Sequence, residues 1–105
     1  MQIARRGEVW LVDLGLAGKV RPALIVNTPF TDEERALYCI VPHTTAGRGG
    51  RFEVDVPMPF LKAGVFDVQN AGPLAAVRLV RRLGIMNEKQ LQQITAAIRV
   101  WMELK

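Results

Sequence analysis

Short apolar segments recur along most of this chain, and they are separated by Gly, Pro, Asn and Asp residues that favour turns. Segments repeated at intervals of roughly 8–12 residues are typical of small antiparallel sheets and barrels. A longer segment near the C-terminus instead has apolar residues at helical spacing. The sequence therefore predicts a mainly β (α+β) fold, in which a small curled antiparallel sheet or barrel carries one C-terminal α-helix.

The predicted strands contain either a run of apolar residues or an alternation of apolar and polar residues. They are residues 7–14, 23–27, 37–41, 51–56, 65–69 and 77–83. In the first strand, Val9 is expected on one face and Trp10 and Val12 on the other. Residues 23–27 are nearly all apolar, which predicts a buried central strand. Pro42 is expected to end the third strand, and turns are expected at residues 15–19 and at Gly72-Pro73.

The predicted helix covers residues 87–104. Asn87 is a favourable N-cap, and Gln90 stands where it can close a capping box. Apolar residues follow at helical spacing, namely Leu91, Ile94, Ile98 and Trp101. We interpret this stripe as the side of the helix that packs on the sheet.

The composition indicates one domain over residues 1–105, with 50% hydrophobic residues and a core that needs no disulfide or metal. The single cysteine, Cys39, lies in an apolar run and is expected to be an inert buried thiol. Neither a signal peptide nor a membrane-spanning segment is recognisable, so a cytoplasmic protein is expected. The net charge of +4 and the pI of about 9.8 favour a polyanionic partner.

Common catalytic signatures are absent, including GxGxxG, the P-loop, CxxC and HExxH. One histidine and one cysteine do not make a usual zinc site, and the chain contains no serine to serve as a nucleophile. We therefore expect any catalysis to proceed without a metal or cofactor and to use Arg, Thr, His or backbone groups.

Two polar groups at strand ends are suited to hold a phosphodiester. Arg21 stands before Pro22 at the start of an apolar run, and Thr44 and Thr45 stand where another apolar run meets a Gly/Arg loop. RNA supplies its own nucleophile, the 2′-OH, so a protein has only to orient the phosphate, stabilise its developing charge and handle two protons. Arginine suits the first two tasks but is an awkward acid or base, since its pKa exceeds about 12.

Several segments, in this order along the chain, resemble the MazF/PemK family of toxin endoribonucleases. They are Gly7-Glu8-Val9-Trp10, residues 21–26 (Arg-Pro-Ala-Leu-Ile-Val), residues 41–45 (Val-Pro-His-Thr-Thr), residues 60–69 and Arg82-Leu83-Gly84 with the helix that follows. The resemblance implies an SH3-like β-barrel of about five to seven antiparallel strands with a C-terminal helix. It also implies a homodimer that cleaves single-stranded RNA without metal, leaving 2′,3′-cyclic phosphate and 5′-OH ends.

The resemblance implies Arg21 and Thr44 as catalytic residues, with Thr45 as the adjacent alternative, and Gln69 as a substrate-binding residue. From their charge, Lys19, Arg48 and Arg51 are expected to guide the RNA backbone. The expected partner is a cognate antitoxin, typically a small DNA-binding protein whose acidic or apolar C-terminal tail blocks the RNA groove.

His43 is a tempting general base because its unperturbed pKa is about 6.5. Strand neighbours point to opposite faces, however, so His43 is expected to point away from a groove that Thr44 faces. Trp10 is expected in the core or in an interface.

Two other functions stay open for this sequence. One is a non-enzymatic toxin of the same fold that resembles the CcdB branch and poisons DNA gyrase through the end of its C-terminal helix, here residues 101–105. The other is a non-catalytic RNA-binding barrel, which would bind oligonucleotides with a steep salt dependence and leave them intact.

Overall fold

The computed structural model describes residues 2–15 and 19–105, so the middle of the turn predicted at residues 15–19 lies outside the described residues. The described residues form seven strands and one α-helix. They are β1 (Glu8–Asp13), β2 (Val20–Ile25), β3 (Leu37–Thr44), β4 (Glu53–Val54), β5 (Val65–Asp67), β6 (Gly72–Ala75), β7 (Leu79–Ile85) and α1 (Glu88–Met102). Two 3₁₀ turns, Val68–Asn70 and Ala76–Arg78, flank β6.

All strand pairs among the described residues are antiparallel, and the strands follow the order β4-β5-β3-β2-β1-β7, with β6 paired to the other part of β3. The sheet is strongly curved and roughly barrel-like, but it does not close. The predicted fold class, a small antiparallel barrel-like sheet with a C-terminal helix, is confirmed.

The curved sheet buries apolar residues on both of its faces. Val9 and Leu24 belong to the cluster that packs under α1, whereas Trp10, Ala23 and Ile25 belong to the cluster on the opposite face. This division confirms the alternation predicted for β1. It also confirms that β2 is a buried central strand, since Ala23, Leu24 and Ile25 are fully buried.

The prediction that Pro42 ends the third strand is wrong, because β3 continues to Thr44. Pro42 lies where β3 changes partners: Ile40 is the last residue paired with β6, and His43 is the first paired with β5. Neither β6 nor β5 is paired with Pro42 itself, so no hydrogen bond to these strands is lost because proline lacks an N–H.

Gly72 and Pro73 do not form a turn but begin β6, where Pro73 lies opposite Cys39. Because β6 pairs only with β3, it is an edge strand, where proline is tolerated. The strand predicted at 51–56 is reduced to Glu53–Val54. The one predicted at 77–83 begins after a 3₁₀ turn, at Leu79. Cys39 is partly rather than fully buried, and this burial raises the pKa of its thiol.

The helix has the predicted capping box. Asn87 Oδ1 accepts the N–H of Gln90 at 2.8 Å, and Gln90 Oε1 accepts the N–H of Asn87 at 2.9 Å. Leu91 and Ile94 are buried against the sheet, as predicted. Trp101 does not complete the buried stripe, since it is 45% exposed. Its ring packs beside that of Phe52, with 5.1 Å between the ring centres. No helix in the described part of the chain is both long and apolar enough to span a membrane.

A partly buried polar network joins β1 to β7. The Glu8 carboxylate accepts hydrogen bonds from Trp10 Nε1 at 3.0 Å, the Arg5 N–H at 2.7 Å and Arg82 Nε at 2.9 Å. Burial raises the pKa of Glu8, but these donors outweigh burial and hold the pKa below its ordinary value. The Gly7-Glu8-Val9-Trp10 segment is thus structural in this fold, and Trp10 lies in the core as expected.

Candidate active site

The main groove of the molecule opens where β2 and β3 separate. Their pairing ends at Ala23 and Pro42. Arg21 lies two residues before Ala23 on β2, and Thr44 lies two residues after Pro42 on β3. Pro22 follows Arg21 and has no N–H to extend the ladder toward a neighbouring strand. The groove has a volume of about 630 Å³. It is lined by residues of the strand ends and of the loops beside them, among them Leu14, Arg21, Pro42, His43, Thr44, Arg48, Glu53, Asp67, Gln69 and Asn70.

Arg21 lies at the junction between this groove and a second groove of about 360 Å³. Its backbone belongs to β2, and the proline that follows restricts it further to extended conformations. Its side chain is partly exposed and forms no ion pair with any carboxylate in residues 2–15 and 19–105. The five N–H donors of the guanidinium are therefore available to an anionic ligand.

Thr44 stands at the last position of β3. Its Oγ1 accepts a hydrogen bond from the N–H of Ala46 at 3.0 Å, so the hydroxyl caps the turn after the strand. Since a hydroxyl both donates and accepts, this bond leaves its proton free to be donated into the groove. One interaction thus fixes the side chain and leaves its donor available.

The other predicted binding residues divide into three groups. Arg48 and Gln69 line the main groove, and Thr45 lines the second groove beside Arg21. Arg51 and Lys19 line neither groove, and the Arg51 guanidinium instead stacks 4.5 Å from the centre of the Phe52 ring. The geometry therefore brings together Arg21, Thr44, Arg48 and Gln69, and it leaves Lys19 and Arg51 outside.

His43 is only 5% exposed, and its ring meets the ring of Phe66 edge-on at 4.9 Å. The low exposure agrees with the inward orientation expected from its place beside Thr44, although His43 is also among the residues that line both grooves. Burial lowers the pKa of His43, and the opposing effect of Asp55 is smaller. The imidazole is therefore neutral at pH 7.

Two carboxylates of the main groove, Glu53 and Asp67, were not predicted as site residues. Glu53 accepts hydrogen bonds from backbone N–H groups of the loop before β4, and Asp67 accepts one from the Asn70 side chain. Their negative charges are thus directed at protein donors, and the cations Arg21 and Arg48 remain to face a ligand. In the described residues, no group of three or more His, Cys, Asp or Glu side chains is arranged to hold a metal ion.

Comparison with known proteins identifies the class to which this fold and groove belong. Residues 5–102 match the family described as PemK-like, MazF-like toxins of type II toxin-antitoxin systems. The chain therefore belongs to the PemK/MazF toxin family. No curated protein matched the sequence significantly.

Solved structures of similar fold agree with this assignment. A mycobacterial endoribonuclease in complex with its cognate antitoxin has 24% identity and a TM-score of 0.82, with 98% of each chain covered. MazF in a MazE–MazF complex from Deinococcus radiodurans has 19% identity and a TM-score of 0.82, with 100% of each chain covered. Mycobacterium tuberculosis toxin MazF-mt6 has 24% identity and a TM-score of 0.78, with 93% of this chain and 98% of the other covered.

Proposed function

We propose that this toxin is a metal-independent, sequence-specific endoribonuclease that cleaves single-stranded RNA. The observation that carries the proposal is that Arg21 and Thr44 line the same groove, beyond the point where the pairing of β2 and β3 ends. A guanidinium without an ion pair in the described residues and a hydroxyl with an available proton converge on one open groove. This is the donor set that a phosphodiester requires.

In the proposed reaction, the 2′-OH of the RNA attacks the adjacent phosphorus, and the bond from phosphorus to the 5′-oxygen breaks. The products are a 2′,3′-cyclic phosphate and a 5′-OH. Arg21 and Thr44 donate hydrogen bonds to the non-bridging oxygens, which gain negative charge in the transition state. Arg21 acts through its charge and through the geometry of its planar guanidinium. We assign the two proton transfers to water in the open groove, since His43 is only 5% exposed.

The remaining residues contribute to RNA binding in this proposal. Arg48 and Gln69 contact the strand in the main groove, and Thr45 contacts the nucleotide that enters the second groove. Lys19 and Arg51 lie outside both grooves and attract the RNA through their charge. Their contribution is therefore expected to vanish at high salt sooner than that of Arg48.

The partners are proposed by analogy with the family. Related structures are complexes of a toxin with its cognate antitoxin. We propose that this chain also binds an antitoxin, whose tail occupies the main groove. We further propose that it forms a homodimer, as its resemblance to the family implies. Arg21 and Arg48 would favour an acidic residue in that tail. A cytoplasmic location follows from the function, because RNA and antitoxin meet there.

The test is cleavage of a long single-stranded RNA in excess EDTA, with the product ends mapped. The proposal expects discrete cuts with cyclic-phosphate ends from the wild type and intact RNA from Arg21→Ala. Intact RNA from a folded wild-type protein would refute ribonuclease activity on that substrate. Cuts that require added Mg²⁺ would contradict the metal-independent mechanism.

A second candidate function, gyrase poisoning, is favoured by the end of α1. Val100, Trp101, Met102 and Leu104 are 59%, 45%, 59% and 55% exposed, an unusual concentration of exposed apolar side chains. Deleting residues 101–105 would abolish gyrase poisoning and spare RNA cleavage. Growth arrest that survives Arg21→Ala but not this deletion would favour gyrase as the target.

A further inference from the structure

The loop between β3 and β4 bends around the carboxylate of Glu53. Glu53 Oε1 accepts the N–H groups of Arg48 at 2.8 Å, Gly49 at 2.7 Å and Gly50 at 3.2 Å, and Oε2 accepts that of Arg48 at 3.0 Å. Three successive backbone donors thus converge on one side chain, in the manner of a backbone nest around an anion.

Glycine makes this conformation possible. Gly49 has a φ of +79°, a region that residues with a Cβ rarely adopt, and a Cβ at Gly49 or Gly50 would meet no other atom. Glycine at Gly49 is therefore explained by the backbone angle that the convergence of N–H groups requires and not by crowding. The conformational freedom of the glycines also means that ordering the loop costs more backbone entropy, which the hydrogen bonds to Glu53 offset.

Both ends of the loop are tied to the sheet. At one end the N–H of Ala46 bonds to Thr44 Oγ1, and at the other Glu53 itself pairs with Asp67 of β5. Between these ends, the carboxylate of Glu53 is the partner that the described residues offer to the N–H groups of Arg48 and Gly49. The backbone position of Arg48, whose side chain lines the main groove, therefore depends on Glu53.

A carboxylate in a groove for RNA would ordinarily repel the phosphates. Here the backbone N–H of Arg48 and those of the two glycines lower the pKa of Glu53, so the group is charged at neutral pH. That charge is engaged by the loop backbone, which reduces its effect on a ligand and keeps the carboxylate within the loop.

We propose that Glu53 is a positioning residue for RNA: it orders the Gly-rich loop so that Arg48 is held in the groove beside Thr44. This inference rests on the proposed function, since it assigns a role at the same site. Glu53 itself does not touch the reacting atoms, and its effect reaches the RNA through Arg48.

The test compares Glu53→Ala, Glu53→Gln and Arg48→Ala with a matched control, Glu34→Ala. Glu34 also accepts a loop N–H, that of Thr31 at 2.7 Å, but it lies in a loop that lines neither groove. Hydrogen exchange of the Arg48 and Gly49 amides reports on the loop. The Kd for an uncleavable 2′-O-methyl oligonucleotide and the KM and kcat of RNA cleavage report on the site.

Glu53→Ala is expected to speed exchange of those amides at least tenfold and to raise Kd and KM about tenfold, with kcat changed less than threefold. Removing a negative charge near RNA would by itself strengthen binding and lower the Kd. Loss of loop order raises the Kd, so the two effects predict changes of opposite sign. Glu53→Gln keeps an acceptor oxygen and should restore most of the binding. The double variant with Arg48→Ala should bind no worse than Arg48→Ala alone.

The inference is overturned if Glu53→Ala leaves amide exchange unchanged, if it tightens oligonucleotide binding, or if Glu34→Ala has the same effect. If the wild type binds the uncleavable oligonucleotide but cleaves no RNA, the proposed activity fails. The positioning role is still decided in that case by exchange and Kd.

Discussion

Arg21 and Arg82 lie on the same curved sheet but in opposite electrostatic situations. Arg82 on β7 donates its Nε to Glu8 at 2.9 Å, inside a network that also includes Trp10. Arg21 on β2 has no carboxylate partner within the described part of the chain and borders two grooves. An arginine whose guanidinium already donates to a carboxylate has fewer donors to offer a ligand than an arginine without such a partner.

Arg21→Ala is expected to reduce RNA cleavage by about 10²–10³-fold, the usual cost of losing one donor to a transition-state oxyanion. The melting temperature should stay within about 2 °C of the wild type, because a partly exposed side chain without an ion pair contributes little to stability. Cleavage kinetics and calorimetry check the two parts. Arg21→Lys is the matched variant, which keeps the charge but not the planar fork. Full activity of Arg21→Ala would contradict the proposal that Arg21, unlike Arg82, acts on the RNA.

Glu8→Ala is expected to lower the free energy of unfolding by about 2–4 kcal/mol, since it leaves a buried indole N–H and a backbone N–H without their acceptor. The partly exposed Arg82 can turn to water, so its lost ion pair adds little. Urea denaturation measures the loss, and cleavage per folded molecule should not change. A stable Glu8→Ala protein that no longer cleaves RNA would reverse the roles assigned to the two regions.

Thr44→Val is expected to slow cleavage about tenfold to a hundredfold, because the donated hydroxyl proton and the cap of the Ala46 N–H are both lost. Thr44→Ser keeps both functions and should retain most of the activity. Single-turnover kinetics with saturating protein separates this effect from RNA binding. A loss in Thr44→Ser as large as that in Thr44→Val would contradict the role assigned to the hydroxyl, because Ser retains that group.

The stability of the wild type should decrease in acid. Because the folded-state pKa of Glu8 lies below its ordinary value of 4.5, the unfolded state binds more protons between the two values, and unfolding becomes easier as the pH falls. The contribution of Glu8 is fully present above pH 4.5 and is lost as the pH drops through the folded-state pKa. Urea denaturation across this range should show a shallower pH dependence for Glu8→Gln. Identical slopes would exclude Glu8 as the group responsible.

The parts of the fold that depend on neighbours in sequence could be predicted. The alternation in β1, the apolar run of β2 and the capping box of α1 all follow from local spacing. The predictions of a strand end at Pro42 and of a turn at Gly72-Pro73 are wrong because the role of each proline depends on which strand lies beside it. A proline at a change of partner or on an edge strand costs no hydrogen bond, and local sequence does not reveal that.

The candidate site divides in the same way. Arg21 and Thr44 could be proposed because each stands at the end of an apolar run, where strand residues reach a surface. Glu53 could not, since its role depends on a loop that folds back over it. The signal in the sequence is Gly49-Gly50 with an acidic residue three positions after Gly50. Charge alone also predicted Lys19 and Arg51 as RNA-binding residues. Charge does not show which basic side chain already has a partner, as Arg51 has in Phe52, or which one lines a groove.

The most direct test of the contrast between the two arginines is a titration followed by NMR. The Nε–Hε signals of Arg21 and Arg82, assigned with lysine variants, are recorded while the uncleavable 2′-O-methyl oligonucleotide is added. We predict that the Arg21 signal shifts as the RNA binds, and that the Arg82 signal, held by Glu8, stays in place. Binding that shifts Arg82 and leaves Arg21 unchanged would contradict the account.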